Sequence, residues 1–159
     1  MLCSQIFDLP YTVFCAFSVD MKPTGKGRPR FTRAGVTYTP TATAKAEKAV
    51  AWAAKASLQG KAPTADNVGV YVEFDFEPPK SVSKTRKAAL IGKPHTKKPD
   101  IDNCLKLVMD ALNGVVWQDD KQVVSVQAIK KYESRNRVSV TVSCLSECGY
   151  NLVVRQDNS

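Results

Sequence analysis

The segment Lys98-Pro99-Asp100-Ile101-Asp102-Asn103-Cys104-Leu105-Lys106-Leu107-Val108-Met109-Asp110-Ala111-Leu112-Asn113-Gly114 decides how the chain is read. Ile101, Leu105, Val108 and Leu112 recur at helical spacing, which places them on one apolar face. Asn113-Gly114 is a good C-terminal stop. Pro99 biases Lys98 towards extended backbone, so the two aspartates fall at a loop-to-helix junction. In extended backbone, residues i and i+2 project to the same side. Asp100 and Asp102 therefore converge on one ion if Asp100 lies at or before the N-cap. The helix N-terminus itself favours their charge. The plainer alternative makes Asp100 an ordinary cap and Asp102 a first-turn acid.

Lys106 follows Asp102 by one helical turn and precedes Asp110 by another. This spacing fits a salt-bridge ladder, and it equally fits a lysine placed beside a metal to neutralise a phosphate oxygen. Beyond Gly114 come Asp119 and Asp120, just before a strand. If the chain reverses at Gly114, this pair returns towards the helix N-terminus and three or four carboxylates converge. A solvated turn is the alternative. Hard oxygen ligands of that kind suit Mg²⁺, with Mn²⁺ possible. A calcium loop is excluded, because Cys104 and Leu105 replace an oxygen ligand and the glycine, and Ala111 stands where the bidentate Glu belongs. Thr24-Gly25-Lys26-Gly27 lacks the spacing of a nucleotide-binding P-loop, so no nucleotide cofactor is expected. A nucleophile elbow is missing, and His95 is the single histidine.

The flanking sequence supplies the rest of an α+β domain. Phe14 to Val19 reads as a strand. Lys22 to Arg33 reads as a Gly/Pro loop passing into an edge strand near Phe31. The alanine-rich run from Thr41 predicts a helix capped at Thr41 or Thr43 and finished before Gly60. Val68 to Phe76 alternates as a half-buried strand, and Val82 to Ile91 predicts a short basic helix. Val123 to Tyr132 and Arg137 to Val142, joined by a polar turn, predict a hairpin. A mixed sheet with packed helices over residues 12–143 is the expected domain, with an extension at 1–11 and a polar tail at 144–159.

Charge is unevenly placed along the 159 residues, whose net charge is +8. Lys22 to Arg33 and Lys80 to Lys98 carry cations and no acid, whereas Asp100 to Asp120 holds five aspartates and one lysine. Basic groups can hold a polyanion while clustered carboxylates hold a divalent cation, and chemistry on phosphodiesters needs both. Five cysteines without a CxxC pair make neither a disulfide framework nor a zinc site, and they fit a reducing cytoplasm. The longest early uncharged run, Leu9 to Val19, is too short to span a bilayer, so no membrane role is expected.

The stretch Lys98 to Val123 resembles the RusA-type Holliday junction resolvases, a family often encoded by phages and prophages. It has D-x-D-N, a lysine four residues after the second Asp, D-x-L, and a later D-D-x-Q-V. Lys26-Gly27-Arg28-Pro29-Arg30-Phe31 and Tyr38-Thr39-Pro40 resemble the family's N-terminal half, and the likeness runs from about Phe14 to Val142. The resemblance implies an α+β homodimer that is a divalent-metal endodeoxyribonuclease cutting paired strands at a four-way junction, in recombination and repair, within a bacterial or phage-infected cytoplasm. It implies Asp100, Asp102 and Asp120 as metal-binding catalytic acids and Lys106 as a catalytic lysine. Asp119 is a further ligand candidate, although the pattern singles out the second of the two adjacent acids. Lys26, Arg28, Arg30, Lys97 and Lys98 are the residues expected to grip flanking phosphates. Two rivals remain: a non-catalytic DNA-binding accessory protein, and a nuclease for flaps, D-loops or forks.

Overall fold

The computed structural model describes residues 11–28, 30–31, 33–35, 37–38 and 40–145. In chain order these form β1 (Tyr11–Val19), β2 (Arg30–Phe31), β3 (Thr37–Tyr38), α1 (Thr41–Leu58), β4 (Asn67–Phe76), α2 (Lys84–Leu90), α3 (Ile101–Leu112), β5 (Val123–Tyr132) and β6 (Arg137–Leu145). A single 3₁₀ turn, Asp120–Gln122, precedes β5. The extension before Tyr11 and the tail after Leu145 lie outside the described residues, and Cys3 and Cys148 with them.

Four strands make a mixed sheet in the order β1-β6-β4-β5, and the short β2 and β3 pair separately. β4 runs parallel to β5 and antiparallel to β6. Parallel neighbours need a long crossover, and here α2 and α3 supply it. The expected hairpin of β5 and β6 is therefore corrected: β4 lies between them. Their connection crosses the end of β4, where Glu133 N donates to Phe76 O at 3.0 Å and Glu77 N donates to the Asn136 side-chain oxygen at 3.0 Å. The reason is burial. Val68, Val70, Val72, Phe74 and Phe76 are all at most 3% exposed, so the strand with this deeply buried face takes an interior place.

α1 and α3 pack on each other, α1 against β1 and α3 against β5. Val50, Ala54 and Leu58 of α1 and Leu107, Val108 and Leu112 of α3 close over β4 and over Val138, Val140 and Val142 of β6. Three details differ from the sequence reading. The buried stripe of α3 is Cys104, Leu107, Val108, Ala111 and Leu112, rotated from the predicted face, and Ile101 is left 40% exposed. Neither Thr41 nor Thr43 caps α1, whose N-cap is Pro40. The Thr43 hydroxyl instead accepts from Gly27 N at 3.2 Å. β6 also continues through Cys144, where a tail was expected. Cys15, Cys104 and Cys144 are free thiols.

Candidate metal and nucleic-acid site at the start of α3

Asp100 is the N-cap of α3 in extended backbone, φ −69° and ψ 148°, as convergence with Asp102 requires. Its carboxylate makes no capping hydrogen bond. The backbone oxygen of Asp100 makes the ordinary first helical bond, accepting from Cys104 N at 3.1 Å. Asp102 lies in the first turn, and both aspartates are exposed. Among the described residues neither joins an ion pair. The capping alternative thus fails for Asp100, and both carboxylates keep their oxygens for another partner.

Three neighbours fix this junction. Lys130, near the end of β5, donates to the backbone oxygen of Lys97 at 2.7 Å and to that of Pro99. Its ammonium nitrogen stands over the Phe76 ring, 5.7 Å from the centroid. On the opposite side the basic loop 22–28 crosses the helix start, with Lys26 N donating to Asn103 O at 3.0 Å. A Cβ on Gly25 would stand 3.2 Å from Asn103 Cβ, so glycine permits this approach. Cys104 lies behind the acids, wholly buried, and burial first and then their charge push its thiol up to about 11. It is a packing group and not a thiolate ligand.

The aspartates open on a cleft of about 700 Å³ that Lys97, Lys130, Lys131 and His95 also line. Lys131 pairs with Glu73 at 3.0 Å, which raises its pKa. The His95 ring stacks on Phe76 at 3.8 Å and meets Tyr132 edge-on at 4.9 Å. Burial, followed by the charge on Lys130, holds its imidazole below the usual value, so it is neutral at physiological pH. Lys130, Lys131 and His95 were not singled out from sequence. Nothing local marks them, because pairing with β4 and the stacking on Phe76 bring them to the aspartates.

Asp119 and Asp120 do not return to this end of α3. Gly114 turns the chain at φ 76°, but the next residues are tied across to the segment before β4: Thr64 N donates to Val116 O at 2.9 Å and Gln118 N to Thr64 O at 3.3 Å. Trp117 is fully buried there, and its indole Nε1 donates to Asp120 Oδ1 at 2.9 Å. Asp119 caps the 3₁₀ turn, accepting from Lys121 N at 3.0 Å, while its own N–H donates to Gln122 Oε1 at 2.8 Å. The chain then enters β5 at the end remote from Lys130. That separation is roughly 20 Å, the length of α3 or of the intervening strand. Among the described residues no three His, Cys, Asp or Glu side chains gather as a cation cage.

Two further expectations change. Lys26 is not free for phosphate, since its Nζ pairs with Glu47 and lies 2.8 Å from Asp110 Oδ2. The Asp102–Lys106–Asp110 ladder is consequently absent, and Lys106 makes no ion pair among the described residues. Arg28, Lys97 and Lys98 are exposed, whereas the side chain of Arg30 lies outside the described set.

Residues 20–143 match the family described as Endodeoxyribonuclease RusA. Over 68 residues, 40% of this chain, the sequence is 41% identical to "Uncharacterized protein YqaN" of Bacillus subtilis (strain 168). The match takes in 48% of that relative, so the chain spans about half its length. The family match covers most of the sequence and contains Asp100, Asp102, Lys106 and Asp120, and the chain belongs to the RusA endodeoxyribonuclease family.

Proposed function

We propose that the protein is a Mg²⁺-dependent endodeoxyribonuclease that resolves four-way DNA junctions by paired phosphodiester cleavage. The observation that carries this reading is the pair of exposed, unpaired carboxylates on Asp100 and Asp102, beside Lys97 and Lys130 at one cleft inside the family match. The donor set fits a hard divalent cation: carboxylate oxygens are available, the nearby thiol is protonated and the Nδ1 of the half-buried imidazole is closed off from solvent. When bound, such an ion would activate water and neutralise charge on the scissile phosphate. Lys106, one turn along the exposed side of α3, would stabilise the developing charge. Lys97, Lys98 and Arg28 would hold the flanking phosphates.

The remoteness of Asp120 gives the homodimer a part in this proposal. Val126 and Ala128 of β5 stand in register with buried Val70 and Val72, yet Val124 and Val126 are 46% and 43% exposed. With Ile101, 40% exposed at the start of α3, they would make an apolar strip beside the sheet edge that a second copy of the chain would cover. Asp100 and Asp102 stand at one end of that strip and Asp120 at the other. A two-fold axis across it would bring Asp120 of one copy towards Asp100 and Asp102 of the other. Each site would then draw ligands from both chains, and two sites would face opposing strands.

The test is a synthetic four-way junction incubated in Mg²⁺ and in EDTA, beside flap, fork and D-loop substrates. Symmetric cuts in Mg²⁺ alone, lost in Asp102→Asn with junction binding retained, are the expected result. Binding without any cut in Mg²⁺ or Mn²⁺ would make the protein a non-catalytic accessory.

A further inference from the structure

The exposed face of α1 carries a pattern that the cleavage site does not use. Lys45, Lys48, Trp52 and Lys55 all lie on the exposed side of the helix. At 100° per residue they fall within one arc, opposite the buried Ala46, Val50, Ala54 and Leu58. Trp52 is 78% exposed, the most exposed of the large apolar side chains described. Its neighbours one turn either way are Lys48 and Lys55. No acid shares the arc, because Glu47 points to Lys26 on the flank. Among the described residues, none of the three lysines forms an ion pair. Burying an indole on folding is favourable, so one left in solvent amid unpaired cations has no structural role in the isolated chain.

We infer that this face of α1 is a second DNA-contact surface, on which Trp52 stacks against an unpaired base while Lys45, Lys48 and Lys55 follow the phosphates of the same strand. It rests on the reading of the chain as a protein that acts on DNA. Charge complementarity selects the occupant. A second copy across a two-fold axis would set lysines against lysines, whereas a DNA strand is a regular row of negative charge. From Lys45 to Lys55 the lysines extend along about 15 Å of helix, which is several nucleotides. A Trp adds to this only if a base face is accessible. Duplex arms hide their base faces, so the surface fits the unstacked strand near a branch point or a single-stranded tail. The basic loop reaches the N-terminal end of α1, where the buried Thr43 hydroxyl accepts from Gly27 N, and the exposed arc begins one turn further on. A strand leaving the cleft past Arg28 would meet α1 at its N-terminal end.

The two tryptophans make a direct test, because Trp117 is fully buried and Trp52 is not. The full chain is titrated in EDTA with oligo-dT while tryptophan emission is followed. Saturable quenching is expected in the wild type and not in Trp52→Phe, where Trp117 alone reports. Trp52→Ala should weaken oligo-dT binding by about tenfold, the usual scale for one base–aromatic stack, with the thermal midpoint unchanged. Lys45→Gln/Lys48→Gln/Lys55→Gln together should flatten the slope of log affinity against log salt by ~2. An unquenched Trp52 or an unchanged slope, in a protein that still cuts junctions in Mg²⁺, would overturn this inference and leave the nuclease reading standing. Absence of both DNA binding and cleavage would remove both. A Trp52 signal obtained with phosphatidylserine vesicles and not with oligo-dT would assign the face to membranes instead. Wild-type self-association abolished by Trp52→Glu would assign it to a second copy.

Discussion

The Lys26 ammonium lies 2.8 Å from Asp110 Oδ2 and also pairs with Glu47, so a cation from the basic loop joins α1 to α3. Burial works against its charge, but its bonds to Asp110 and Glu47 outweigh this and raise its pKa above the usual lysine value. The ammonium therefore stays charged and anchors the loop that crosses the start of α3.

Replacing that cation should loosen the junction. Lys26→Gln leaves Glu47 and Asp110 without their shared partner, and solvent screening keeps the cost to about 1 kcal/mol. The expected result is a lower urea midpoint at unchanged slope, shrinking as NaCl is added. A salt-independent loss would mean that packing of the lysine stem, and not its charge, is what matters.

Gly27 holds the same loop by a different means. A Cβ there would lie 2.6 Å from the Thr43 hydroxyl and 3.1 Å from Pro40 Cγ. Gly27→Ala should cost about 1–3 kcal/mol by overpacking. Gly69→Ala, whose added carbon meets only Ser125 Cβ at 3.8 Å, should cost less. Thermal melts of the two variants side by side check this, and equal losses would refute the steric account.

Asp120 has a structural duty beside its proposed catalytic one. Asp120→Ala strands the buried Trp117 indole N–H and should destabilise by about 1–3 kcal/mol. Asp120→Asn keeps an acceptor at Oδ1, so it should fold with a near-wild-type midpoint and yet fail to cut junctions. Near-ultraviolet circular dichroism with a cleavage assay separates the two losses.

If sites are shared between copies, two dead variants should rescue each other. A heterodimer of Asp102→Asn and Asp120→Asn chains contains one site with both defects and one with neither. Mixing the chains under exchange conditions should therefore restore nicking, at up to about a quarter of the wild-type sites for random pairing. No restored activity, with heterodimers shown to form, would put all the ligands on one chain.

His95 should make folding weaker in mild acid. Its folded-state pKa lies below the unfolded value near 6.5, chiefly through burial and then through Lys130. The contribution is complete above that unfolded value. It is lost as pH falls from about 6.5 towards the folded pKa, where only the unfolded chain takes up the proton. Urea midpoints at pH 7.5 and 5.5 should differ more for the wild type than for His95→Gln, and identical differences would exclude the histidine.

Local pattern made much of this protein readable from sequence. The helical spacing of Ile101 to Leu112, the alanine run of α1 and the alternation of β4 are properties of adjacent residues, and each element stands close to where that pattern puts it. The motif Asp100-x-Asp102 with Lys106 was legible for the same reason, since Pro99 and the helix start fix its geometry within a few residues. Tertiary structure decided the rest. A short polar connection between β5 and β6 looks like a hairpin, yet β4, with its deeply buried face, pairs along both edges and stands between them. Lys26 sits in a basic run, but its charge is spent on carboxylates from α1 and α3. Asp119 and Asp120 adjoin the motif in sequence and stand at the far end of α3, because burying Trp117 carries the chain there. Sequence determined which carboxylates and cations are candidates for the chemistry, and long-range burial and charge pairing decided which of them can meet within one chain.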